Sequence, residues 1–303
     1  MSTYGDHLGS HGEHRRPKPA GASDRARDAN GDVGDARNAA TGRKAGAGGW
    51  FGRRVDRDRN LGLRLTLATG AVFLFLVPFT LLAVLVHTSF GPLNDLDEGV
   101  ARDLHTYAMA HPGWVTFLQA WTDVFSPGVW RVLVGLAVVW LLLRRAPRLA
   151  LWAATTITVG GLLGLALKGL TARARPHLPD PVALAPGSSF PSGHALNATL
   201  GAGVLVLLLL PLLKGRWRTV AWAVAAVIAL GVAYTRVALG VHWVSDVVAG
   251  VVLGVAVIAA TTAAFETWRR DIGRRPSEPL REGVEPEAKQ EIFPKGHQDG
   301  HGG

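Results

Sequence analysis

Three short polar clusters interrupt apolar sequence between residues 168 and 246, and they hold the side chains best able to do chemistry. The first runs from Lys168 to Pro176, the second from Pro191 to His194 and the third from Arg236 to Asp246. Lys168, Arg175 and Arg236 supply fixed positive charge, and guanidinium forks match phosphate oxygens in a bidentate way. Ser192 and Gly193 stand just before an apolar run, so Ser192 fits an N-cap and Gly193 would leave its backbone N–H open to a ligand. A helix start of that kind attracts phosphate through its free amides and its dipole. Phe190, beside Pro191, can pin the preceding loop against a helix bundle. Cations at the edges of hydrophobic runs are costly unless something anionic needs them.

Two histidines in these clusters can exchange protons near neutral pH. His242 and Asp246 are four positions apart, which on a helix places them on one face. A carboxylate there can hold the imidazole tautomer and stabilise the charged ring, as an attacking nucleophile requires. His194 has no such partner in its local sequence and suits the leaving-group side as a general acid. The chain has no cysteine, no Ser-centred triad motif and no obvious carboxylate cluster for a divalent metal, which leaves histidine as the best nucleophile on offer.

The elements that must position these groups read as membrane helices. Long apolar blocks alternate with polar ends across 303 residues, and a spanning helix needs about 20 apolar residues. The fold expected is all-α, an integral membrane bundle of six transmembrane helices over residues 61–268. Its spans are Leu65–Val86, interrupted by Pro78, then Pro127–Leu143, Leu149–Leu170, a run after His194, Thr219–Tyr234, and His242–Trp268. Residues 1–60 and 269–303 read as disordered tails, charged and poor in large apolar side chains. Between the first two spans, residues 90–126 carry several acids, with Leu96, Val100, Leu104 and Ala108 at four-residue spacing, and read as an amphipathic helix on the membrane surface. Trp114, Trp121 and Trp130 fit an interfacial belt after it.

The net charge of +9 lies mostly in tails and short connections beside hydrophobic runs, which favours membrane topology over nucleic-acid binding. Sorting the connections by Lys and Arg places both termini and the turns at 144–148 and 214–218 in the cytoplasm. The three clusters then face outside, where Lys168, Arg173, Arg175 and Arg236 break the charge rule and ask for another reason. The arginines at 53, 54, 57 and 59 serve either as a topology signal or as a site for anionic lipid.

In order and spacing, the clusters resemble the tripartite signature of the type 2 phosphatidic acid phosphatase superfamily: Lys, six residues, Arg-Pro; Pro-Ser-Gly-His; and Ser-Arg, five residues, His, three residues, Asp. This chain gives Lys168 with Arg175-Pro176, Pro191-Ser192-Gly193-His194, and Thr235-Arg236 with His242 and Asp246. Only Thr235 departs, and it keeps a hydroxyl. The resemblance implies that His242 attacks phosphorus to form a phosphohistidine, with Asp246 orienting it. It further implies that His194 protonates the leaving oxygen and then activates water, and that Lys168, Arg175, Ser192, Gly193 and Arg236 hold the phosphoryl oxygens. No metal or other cofactor is required. The implied substrate is a membrane lipid phosphate reached from the bilayer, such as undecaprenyl diphosphate, phosphatidylglycerol phosphate or phosphatidic acid. The same site could pass its phosphoryl group to a hydroxyl acceptor. In a transporter, the cations would bind phosphate without turnover and His242 would be dispensable. The soluble vanadate-dependent haloperoxidases share the arrangement but not the membrane spans.

Other chemistry-bearing residues carry weaker expectations. Arg173 is balanced between contacting substrate and solvent, and Trp243 between lining a lipid entrance and anchoring at the interface. Asp123 and Asp180 read as solvated loop groups. His87, His105, His111 and His177 have no motif around them, and His7, His11, His14, His297 and His301 are at most adventitious metal binders.

Overall fold

Proline opens five of the described helices. The computed structural model describes Gly70 and residues 73–292, so the arginine cluster at 53–59 and the tail histidines lie outside the described residues. The helices are α1 (Phe73–His87), α2 (Gly91–Ala110), α3 (Pro112–Val124), α4 (Pro127–Leu143), α5 (Pro147–Thr171), α6 (Gly193–Leu209), α7 (Arg216–Ala238), α8 (Val244–Asp271), and the short α9 (Pro279–Glu282) and α10 (Ala288–Ile292). Among the described residues there is no strand. Each of α2, α3, α4, α5 and α9 has a proline at its first or second position, where the missing N–H would have had no intrahelical partner and the fixed φ suits a helix.

Among the described residues, four to five of the six expected spans are long and apolar enough to cross a membrane. Those that qualify among the described residues are the pair Pro112–Leu143, α5, α7 and α8. The total becomes five if α1 and α2, bent by 87° at their junction, are taken as one span. Part of the expected first span, residues 65–69, 71 and 72, lies outside the described residues. The second span begins at Pro112, well before Pro127, because α3 and α4 pass the apolarity test together across the break at Phe125 and Ser126. Only α2 therefore keeps the role of a separate, less apolar helix, bent by 87° from α1 and packed on α7 and α8.

The 17-residue α6 is apolar but short, and it is buried all round. Every residue from Ala195 to Val204 is buried, a pattern without periodicity that marks a helix enclosed on every side. Helices α4, α5, α7 and α8 all pack on it. Close approach is bought with glycine. A Cβ on Gly201 would stand 2.3 Å from the Trp130 ring, and one on Gly250 of α8 would stand 2.6 Å from the Ser192 carbonyl oxygen. Trp130 is thus a core residue at 3% exposure rather than part of an interfacial belt, and its indole N–H donates to the Phe125 carbonyl at 3.1 Å. The outer helices turn Leu81, Leu136, Leu162 and Leu230 outward, each more than half exposed, as a bundle in hydrocarbon requires.

Residues 269–292 do not behave as the disordered tail expected of them. Val284, Ala288 and Ile292 join the core cluster of α4, α5 and α6. The charges that suggested solvation are paired instead. Arg269, fully buried, donates to Glu266, Glu287 and Ser277 at 2.7, 2.7 and 2.8 Å, and Arg148 reaches Glu285 at 2.9 Å.

Candidate active site

The spacing in the third cluster closes a turn. At the end of α7 the amides of Val241 and His242 both donate to the Arg236 carbonyl, at 3.2 and 3.1 Å. Gly240 bends the chain there at a φ of 67°, and a side chain at that position would also strike Leu178. Five residues between Arg236 and His242 are what this turn consumes, and both side chains end at one rim of the bundle. Thr235 spends its hydroxyl on the Val232 carbonyl at 2.7 Å, inside its own helix.

His242 precedes α8 rather than lying on it, so the pairing with Asp246 is not the helical i, i+4 contact expected. Asp246 sits in the first turn of α8 and reaches back, its Oδ2 accepting the Trp243 amide at 2.9 Å and facing His242 Nδ1 at 3.4 Å. A carboxylate there also complements the helix dipole. On the other side of the ring, Nε2 is 3.1 Å from Arg175 Nη1. Guanidinium can only donate, so Nε2 is the acceptor and the proton resides on Nδ1, toward Asp246. Burial pushes the His242 imidazole down to about 4 from its ordinary 6.5, against the opposing pull of Asp246. The ring is neutral near pH 7, with its Nε2 lone pair turned to a cation.

The loop from 172 to 192 brings the first two clusters to this ring. Arg175 is stitched to carbonyls, its Nε donating to Gly187 at 3.0 Å and its Nη1 to Val241 at 2.6 Å. Lys168, in the last turn of α5, donates to the Ser188 carbonyl at 2.7 Å, and its Cε lies close enough to Gly193 to be 3.7 Å from a Cβ placed there. Phe190 is buried and packs near Phe79, their ring centroids 6.0 Å apart. Ser192 takes the N-cap position of α6, but its hydroxyl caps nothing. Its amide instead donates to the Asp246 carbonyl at 2.9 Å, tying the starts of α6 and α8 together. His194, one residue into α6, lies among Arg236, His242, Lys168 and Arg175. Arg236 makes one long hydrogen bond, 3.4 Å to Thr122 Oγ1. Its Nε and the Ser192 Oγ are both buried without a protein partner. All eight residues singled out from the sequence thus surround one spot where α5, α6, α7 and α8 meet.

Four further residues belong to the site. Ser189, fully buried, donates its hydroxyl to Asp246 Oδ2 and lies 3.4 Å from His242 Nδ1. Arg173 is committed to two carboxylates, donating to Asp246 Oδ1 at 2.7 Å and to Asp97 Oδ2 at 2.9 Å. Asp97, on α2, also accepts the Ser245 amide at 2.9 Å. Trp243 is a tie as well, its indole N–H donating to the Ala174 carbonyl at 2.9 Å beneath the Arg173 guanidinium. Among the unassigned histidines, His105 of α2 holds the Pro179 carbonyl at 2.7 Å.

The signal for Asp97 was available in the stripe Asp97, Ala101, His105 and Ala108, which is the buried face of α2. The larger apolar residue Leu96 drew the expected face one position away, yet it is 51% exposed.

The PAP2 superfamily model matches residues 149–270, which include all three clusters. An undecaprenyl-diphosphatase of Sulfolobus acidocaldarius is 32% identical over 119 residues, 38% of this chain and 54% of that protein. Phosphatidylglycerophosphatase B of Bacillus subtilis is 30% identical over 190 residues, 61% of this chain and 88% of that protein. The chain therefore spans about half of the archaeal relative and most of the bacterial one. A crystal structure of a transmembrane PAP2 type phosphatidylglycerolphosphate phosphatase from Bacillus subtilis superposes with a TM-score of 0.58 at 24% identity, covering 67% of this chain and 98% of that one.

Proposed function

The chain belongs to the PAP2 superfamily, and we propose that it is an integral membrane lipid phosphatase working through a phosphohistidine at His242. The observation that carries this reading is the setting of His242: Nδ1 toward Asp246, and Nε2 toward the Arg175 guanidinium, where a phosphoryl group would sit. Lys168, Arg175 and Arg236 hold the phosphoryl oxygens, joined by the Ser192 hydroxyl and the Gly193 amide. A phosphoryl oxygen takes over the Arg175 donor and frees the Nε2 lone pair. Nε2 then attacks phosphorus, the bond to the leaving oxygen breaks, and His194 gives that oxygen its proton. The anionic group beside His194 favours the proton it must carry. In the second half, His194 takes a proton from water, the hydroxide oxygen displaces Nε2, and inorganic phosphate leaves. Positioned charge is the main lever in such transfers.

The substrates to try first are undecaprenyl diphosphate and phosphatidylglycerol phosphate, after the names of the two relatives, with phosphatidic acid beside them. The protein is a multi-pass cell-membrane protein with both termini in the cytoplasm and the site on the outer face. The support is the distribution of Lys and Arg in the connections. The deciding experiment is phosphate release by the purified full-length protein in EDTA from each lipid, with His242→Ala as control. Release from one lipid that vanishes in the variant is the expected result. A wild type that binds phosphate as well as the variant does, yet hydrolyses nothing, would point to binding without turnover.

A further inference from the structure

Asp246 has two carboxylate oxygens, and the mechanism uses only one. Oδ2 serves His242, Ser189 and the Trp243 amide. Oδ1 is held by Arg173 Nη1 at 2.7 Å, and the other arm of the same guanidinium holds Asp97 Oδ2 at 2.9 Å. Asp97 in turn grips residue 245, taking its amide on Oδ1 and its hydroxyl on Oδ2, while that hydroxyl also lies 2.7 Å from Arg173 Nη1. The circuit is largely buried: Asp97 and Asp246 are 1% and 0% exposed, and Arg173 is 14% exposed. It joins three separate parts of the chain, namely α2, the loop after α5, and the first turn of α8.

We propose that Arg173 and Asp97 are positioning residues for the phosphoryl transfer, together fixing the carboxylate that orients His242, so that α2 acts on the reaction without touching substrate. This inference rests on the proposed phosphatase reading. A buried carboxylate with one oxygen unpaired either rotates toward another donor or takes up a proton, and each outcome releases the His242 tautomer. The planar fork of arginine can serve two carboxylates at once in fixed geometry, whereas an ammonium is a point charge without that fork. Asp97 keeps the fork aimed, and its grip on Ser245 keeps the start of α8 in register with it.

The test uses the purified full-length protein and the variants Arg173→Gln, Arg173→Lys, Asp97→Asn, and the double variant Asp97→Asn with Arg173→Gln, which removes both charges together and guards against a fold broken by one unpaired ion. Phosphate release from undecaprenyl diphosphate and phosphatidylglycerol phosphate gives kcat and KM. Either single loss is expected to lower kcat by about 10²-fold, the scale of a small misplacement at the reacting centre, with KM little changed. Arg173→Lys should recover part of the loss, and the double variant should be no slower than the worse single one, because the two residues act as a unit. Orthovanadate, which bonds to the attacking nitrogen, should bind at least about ten-fold more weakly to Asp97→Asn, while sulfate, held by charge alone, should bind as before. Folded Asp97→Asn protein with unchanged kcat and unchanged vanadate affinity would overturn the proposal, as would losses confined to KM. If the wild type hydrolyses no lipid phosphate, the phosphatase reading fails, and the vanadate comparison still decides the positioning role.

Discussion

Both ring nitrogens of His242 are engaged in the resting site, and the ring is neutral because it is buried. With its proton affinity pushed down to about 4, the acid limb of kcat/KM should lie well below the 6.5 of an ordinary histidine. A pH–rate profile of the free enzyme reads it directly. The same depression acts on stability. Between pH 6.5 and about 4 the unfolded chain binds the proton and the folded one does not, so the contribution of His242 to folding is present above 6.5 and is lost as the pH falls toward 4. Removing one phosphoryl donor, as in Arg175→Gln, should cost about 10²–10³ in rate. The residue types and their spacing were legible in the sequence because each is dictated by phosphate chemistry or by the turn at Gly240. Asp97 was recorded only in the stripe Asp97, Ala101, His105 and Ala108, which the larger Leu96 overrode, and Arg173 was not legible, since its role depends on how the 172–192 loop turns.

The starts of α6 and α8 are the elements that set the geometry, and they touch through backbone. Ser192 N donates to the Asp246 carbonyl, and Gly250 leaves no room for a methyl group beside the Ser192 carbonyl. Gly250→Ala is therefore expected to cost about 1–3 kcal/mol through overpacking, seen as a lower thermal midpoint, and to weaken phosphate binding because the shift falls on Ser192. Helix α6 shows why spans are hard to count from sequence. Its apolar run looks like a lipid-facing helix, yet it is enclosed by four neighbours and only 17 residues long. Conversely, the apolar run of α3 was masked by the acidic stretch before it, so the span beginning at Pro112 was read as starting at Pro127.

On the scale of the whole molecule, the site and the C-terminal helices lie at opposite ends of α8, about 40 Å apart by the rise of 28 helical residues. Truncation after Asp271 removes Glu287, Ser277 and the apolar cover of Val284, Ala288 and Ile292, leaving buried Arg269 with Glu266 as its ion-pair partner. Because Glu287 is partly exposed and Glu266 remains, the loss is smaller than that of breaking a fully buried pair, about 3–5 kcal/mol. The truncated protein should melt at a clearly lower temperature while keeping its kcat at temperatures where it stays folded. Composition pointed to a disordered tail here because it counts charges without their partners. The identity of the attacking atom can be read most directly by quenching wild-type protein in alkali during turnover of a lipid phosphate and mapping the phosphorylated residue by mass spectrometry. Phosphate on His242, absent in His242→Ala, is the predicted result. Phosphate on His194, or steady turnover with no phosphoprotein at all, would contradict it.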